Sequence, residues 1–93
     1  MNDTEKLAVL KKDLQMTTNA NDVLLQNMLM ASKSMIEREG IILEDSVECD
    51  MIQIQYAAYL FRKRASSETA MPRFLRYELN NLLFSQKAKG EGT

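Results

Sequence analysis

The sequence predicts an all-α fold, a small bundle of about four helices arranged around a central third helix that is apolar on nearly every side. Three observations predict it. Four segments carry helical spacing with start and stop signals, and no stretch alternates apolar and polar residues between turn signals as a hairpin would. The chain has 93 residues, enough for one compact domain and too few for two. A hydrophobic fraction of 45%, with 27% charged residues and only three Gly and one Pro, is the composition of a chain that folds.

The first helix is expected over about Thr4 to Leu14, capped by Asp3 or Thr4, with Leu7, Leu10 and Leu14 at spacings of three and four. Thr17 to Asp22 is rich in capping and turn residues, so a second helix begins at Asn19 or Asn21. Its stripe is Leu25, Met28, Leu29, Ser32, Met35 and Ile36, and Gly40 ends it because glycine accepts positive φ.

Beyond Ile41-Ile42-Leu43, Asp45 and Glu48 have the spacing of a capping box and start a third helix near Ser46. At 100° per residue, Val47, Met51, Ile54, Ala58 and Phe61 form one face, and Ile52, Tyr56, Tyr59 and Leu60 cover most of the other. A helix apolar on both sides needs two covers. The expectation is a central place in the bundle with the second face turned to a neighbouring subunit.

Ala65 to Ala70 reads as a loop, and Pro72 belongs in the first turn of a fourth helix, where its missing N–H costs little. Met71, Leu75, Leu79, Leu82 and Leu83 supply its core face. Tyr77, Phe84 and Phe74 project to the other side, and exposed aromatics at that spacing mark a candidate interface. Residues 1–86 form a single helical domain in this reading, and 87–93 a flexible tail.

The composition also excludes function classes. The chain has no His, so the side chain that most readily moves a proton or binds zinc is missing. Cys49 is the only thiol, which rules out an intrachain disulfide and fits a reduced, cytosolic setting. Residues 1–30 lack a signal peptide's apolar core, and the run Tyr56 to Phe61 is far shorter than the ~20 residues that span a bilayer. An enzyme would have to work with carboxylates alone, and no convergent pair is visible. The expectation is a non-enzymatic protein without metal, cofactor or membrane.

Charge is separated along the chain. Residues 1–50 hold ten acids and five bases, and residues 51–93 three acids and seven bases. Such a molecule is suited to stacking with opposite ends or edges meeting. The triplet Arg62-Lys63-Arg64 is a candidate contact for DNA or an acidic partner, although three cations in a last turn also suit the helix dipole and solvent. Arg73 and Arg76 sit in a first turn, where the dipole mildly disfavours cations, and so join the candidates. Met28, Met35, Met51 and Met71 fall on core faces by phase. Glu44, Asp45, Glu48 and Asp50 lack the spacing of a calcium loop and read as solvated capping residues, and Cys49 as a buried or half-buried thiol.

The order of elements resembles a known family. It combines a short first helix, Asn21-Asp22 leading into Leu24-Leu25, a second helix ending Met35-Ile36-Glu37 before a glycine, Tyr56-Ala57-Ala58-Tyr59-Leu60-Phe61-Arg62-Lys63-Arg64, and Met71-Pro72 before a final amphipathic helix. This pattern, covering most of the chain, is similar to the small helical head–tail connector (adaptor, or head-completion) proteins of tailed bacteriophages and prophages. The resemblance implies a homo-oligomeric ring, expected to be a dodecamer, docked beneath the portal protein. Such a ring completes the head and receives a downstream head-closure or tail protein, with DNA only passing through its lumen. It implies assembly in the bacterial host cytoplasm and a place in the virion neck. No catalytic residues carry over from it. Tyr56, Tyr59, Leu60, Phe74, Tyr77 and Phe84 are the candidate subunit interface, and Arg62, Lys63, Arg64, Arg73 and Arg76 the candidate partner or DNA contacts. The alternative reading is a small helical nucleic-acid-binding regulator with Pro72 to Lys87 as its recognition helix.

Overall fold

The computed structural model describes residues 1–91 and consists of four helices, α1 (Asp3–Asp13), α2 (Asp22–Arg38), α3 (Val47–Ala65) and α4 (Arg73–Glu91), with no strand among the described residues. The all-α bundle follows the sequence pattern, and its local punctuation explains each boundary. Asn2 caps α1 one residue earlier than expected: its side chain accepts from the Glu5 backbone N–H at 2.8 Å, while Glu5 Oε1 accepts from the Asn2 N–H at 3.3 Å. That reciprocal capping box satisfies two otherwise orphan donors. Gln15 (φ 59°) ends the helix in the left-handed region, with its N–H on Lys12 O and the Met16 N–H on Lys11 O. Gly40 (φ 93°) does the same for α2 without the steric penalty.

Ser46, rather than Asp45, caps α3, with its hydroxyl accepting from the Cys49 N–H at 3.1 Å. Pro72 stands just outside α4 and its carbonyl accepts from the Arg76 N–H. The fourth helix continues to Glu91, so residues 87–91, expected as tail, are helical. Lys87, Ala88 and Lys89 are strong helix formers. In the turn before them, Gln86 is fastened to the α2–α3 connection, donating to Ile42 O at 2.7 Å and accepting from the Ile42 N–H at 2.9 Å. Residues 92 and 93, the rest of that expected tail, lie outside the described residues.

Helix α3 is central, packing on α1, α2 and α4. The pairs Met1–Asp50, Lys6–Gln53 and Asp13–Arg62 advance together, so α1 and α3 run in the same direction. One face of α3 (Ile54, Ala57, Ala58, with Met51 and Phe61 at its edge) packs on Leu7 and Leu10 of α1 and Leu25 and Leu29 of α2. The other face (Ile52 and Tyr56, flanked by Tyr59 and Leu60) packs on Ile36, Ile41, and Leu75 and Leu79 of α4. Ile52 and Tyr56 of the second face are therefore covered inside one chain by α4 and the end of α2, whereas Tyr59 and Leu60 at its edge stay half-buried. Val47 is corrected: at the first position of α3 it is 70% exposed.

Candidate interaction surface

Helix α4 separates its two faces cleanly. Leu75 and Leu79 are fully buried, whereas Phe74, Tyr77 and Phe84 are 53%, 67% and 65% exposed. Residues 74, 77 and 84 recur at three and seven, which places them along one side of the helix, away from the core. Burying any of them against a partner removes a large apolar area from water at little entropy cost.

The six candidate interface residues do not form one surface. Tyr56 is 6% exposed in the α3–α4 core, its ring edge-on to Tyr59 with centroids 5.9 Å apart. Burial, and then the Glu39 carboxylate, push its phenol above the ordinary value, with Arg76 pulling the other way. Tyr59 and Leu60 are half-buried beside the same cluster. Only the three α4 aromatics stand out in solvent, and Tyr56 belongs to the core.

Among the candidate cations, Arg62, Lys63, Arg64 and Arg73 are exposed at the two helix ends that flank the loop of residues 66–72. Arg62 lies 3.6 Å from Asp13 of α1, and Lys63 Nζ stands 5.7 Å from the centre of the Tyr59 ring. Arg76 is committed to the fold. Its guanidinium donates to both Glu39 carboxylate oxygens at 2.7 and 3.1 Å and to Asn80 at 3.4 Å, joining α4 to the end of α2. The hydrogen bonds it donates to Glu39 raise its pKa above the ordinary arginine value.

The acids divide as well. Glu44, Asp45 and Glu48 are exposed, but Asp50 is buried, with the Met1 ammonium at 2.9 Å and Lys6 Nζ at 3.7 Å. The Asp50 hydrogen bond raises the pKa of that ammonium. Lys6 also donates to Gln53 Oε1 at 2.8 Å, and Gln53 Nε2 donates to Leu29 O at 3.0 Å. The buried Ser32 hydroxyl donates to the same carbonyl at 2.7 Å. A polar seam thus crosses the α1–α2–α3 junction, each buried group paired as burial requires. Its signals in the sequence are Ser32, a polar residue in the apolar stripe of α2, and Gln53, a polar residue inside the apolar run of α3. Cys49 is buried. Among the described residues, no three His, Cys, Asp or Glu side chains group to hold a metal ion, and no helix is long and apolar enough to cross a membrane.

Two of the depressions in the described surface bear on partner binding. An open cleft of about 760 Å³ between α1 and α2 is lined by charges of both signs, including Asp3, Lys6, Lys33, Glu37 and Arg38. A groove of about 280 Å³ between α2 and α3 is lined by Met28, Ala31, Met35 and Leu60, with Lys63 and Arg64 at its rim. Met35, assigned to the core by its phase, is 40% exposed at this groove because α3 covers only the adjoining side of α2.

Comparison with protein-family models, with curated proteins and with solved structures gives no match for this chain.

Proposed function

We propose that this chain is a non-enzymatic assembly protein, a subunit of the homo-oligomeric ring that joins head to tail in a tailed bacteriophage or prophage. The observation that carries the reading is the outer face of α4, where Phe74, Tyr77 and Phe84 remain exposed although Leu75 and Leu79 already anchor the helix. A bundle with its own core complete has no internal use for three exposed aromatics on one side of a helix, and such a side is what self-association covers. Separated charge supports it, since the acid-rich half of one subunit attracts the base-rich half of the next and so favours head-to-tail contacts that close into rings. The family resemblance supplies the setting: beneath the portal protein, ahead of a head-closure or tail protein, built in the bacterial host cytoplasm and placed in the virion neck. In that setting Arg62, Lys63, Arg64 and Arg73 are the cations positioned to meet an acidic partner or passing DNA.

A duplex-reading regulator would present polar and basic residues on the outer face of α4. That face holds the aromatics, and Arg76 is bound to Glu39. Sedimentation velocity over a wide concentration range, with and without the portal protein, tests the assembly reading. Association with rising concentration, or on the portal, is expected. A chain that stays monomeric throughout and fails to bind the portal overturns it.

A further inference from the structure

Two apolar features of this chain have no cover within it. One is convex, the aromatic side of α4. The other is the shallow, open α2–α3 groove, floored by Met28, Ala31, Met35 and Leu60. No α4 residue lines the groove, and Phe74, Tyr77 and Phe84 are each more than half exposed, so the two do not meet inside one molecule. We infer that they meet between molecules: the Phe74–Tyr77 segment of one copy seats in the Met28–Ala31–Met35–Leu60 groove of the next.

The fit rests on shape and charge. Ala31 is the one small side chain in the lining, flanked on α2 by Met28 and Met35 at spacings of three and four, which leaves a hole over the Ala31 position. Methionine is unbranched and polarizable, adapts to an inserted ring, and makes favourable sulfur–aromatic contacts. Glu78, exposed next to Tyr77 and one helical turn from Phe74, is the only acid between residues 69 and 90. The rim it would meet carries Lys63 and Arg64. Opposite charges there set the orientation of the seated helix more than its affinity. Because the two patches differ, the contact is heterologous and repeats from copy to copy, as a ring requires and a two-fold dimer does not.

This inference rests on the assembly reading, and the test separates them. Phe74→Ser with Tyr77→Ser disables the seated segment and leaves the groove; Ala31→Arg with Met35→Arg fills the groove and leaves the aromatics. All four positions are exposed or half-exposed on helices, so both variants fold, as circular dichroism and thermal melting check. The first variant is labelled at its methionine methyl groups and titrated with the unlabelled second variant, with NMR as the readout. The expected result is movement of the Met28 and Met35 signals, with core Met51 and Met71 still, and at least tenfold weaker self-association for each variant alone. If the wild-type chain assembles while Met28 and Met35 do not move in the mixture, this pairing is overturned and the assembly reading stands. If only the aromatic-side variant loses assembly, the aromatic sides pack on one another and the pairing is likewise overturned. A wild-type chain monomeric throughout and without affinity for the portal overturns both.

Discussion

Leu79 and Tyr77 lie two residues apart on α4 and face opposite environments, so truncating each to alanine separates folding from association. Leu79 is fully buried in the cluster it shares with Leu75 and with Ile52 and Tyr56 of α3. Removing three carbons at about 0.8 kcal/mol each costs about 2.4 kcal/mol in transfer alone. The cavity left in a packed cluster brings the total to about 3–4 kcal/mol. A domain of this size holds about 5–14 kcal/mol in all, so Leu79→Ala should lower Tm by about 12–25 °C. Tyr77 is 67% exposed, and its alanine variant should change monomer stability by no more than about 0.5 kcal/mol. Thermal melts by circular dichroism should be run dilute, because association stabilises the folded state by mass action. At high concentration the wild-type Tm should rise and that of Tyr77→Ala should not. Equal destabilisation by the two variants, or a loss below about 1 kcal/mol for Leu79→Ala, refutes the assignment of inner and outer faces.

The two helix stops give shifts of opposite sign. Gly40→Ala should cost about 1 kcal/mol in urea unfolding, because the strain comes from φ 93° and the added Cβ would stand at an ordinary 3.6 Å from Leu83 Cδ1. Gln15→Gly should stabilise by about 0.5–1 kcal/mol by relieving the same strain at φ 59°. The Glu39–Arg76 pair is partly exposed, so a double-mutant cycle should give a coupling of about 0.5–1 kcal/mol that shrinks as salt rises. Tyr56 adds a pH dependence of known sign: burial holds its folded-state pKa above the ordinary phenol value of 10.0, so neutral phenol is favoured in the fold. That contribution is fully present below pH 10 and is lost as pH rises through the folded-state pKa. Tyr56→Phe should therefore flatten the alkaline limb of the stability profile, and an unchanged limb counts against a buried phenol.

What could be read from the sequence was local. Helix spacing, Gly40, the serine and acids before α3, and Pro72 each act within a few residues, and all four elements follow from them. The Asn2–Glu5 box was present in the spacing, but Asp3 and Thr4 are equally good caps, so the boundary moved by one. The periodicity of α3 showed that both faces need cover without showing what covers them, because α4 reaches it only through tertiary packing. Arg76 stands in the sequence as a candidate partner contact because Glu39, the acid it pairs with in the fold, lies 37 residues away. Asp50 was read as a dipole cap because Lys6 and the chain start approach it only in the fold. Phe74, Tyr77 and Phe84 were legible because a helix fixes which side a residue takes once its core side is known. The groove facing them needed two helices in register.

The central claim is that the exposed side of α4 exists to bind further copies of the chain. Native mass spectrometry of the wild-type chain, alone and with the portal protein, tests it most directly. The account predicts one closed species of fixed stoichiometry, a dodecamer by the family resemblance, that Tyr77→Ser with Phe84→Ser abolishes. A monomer under every condition, or an oligomer indifferent to those two substitutions, contradicts it.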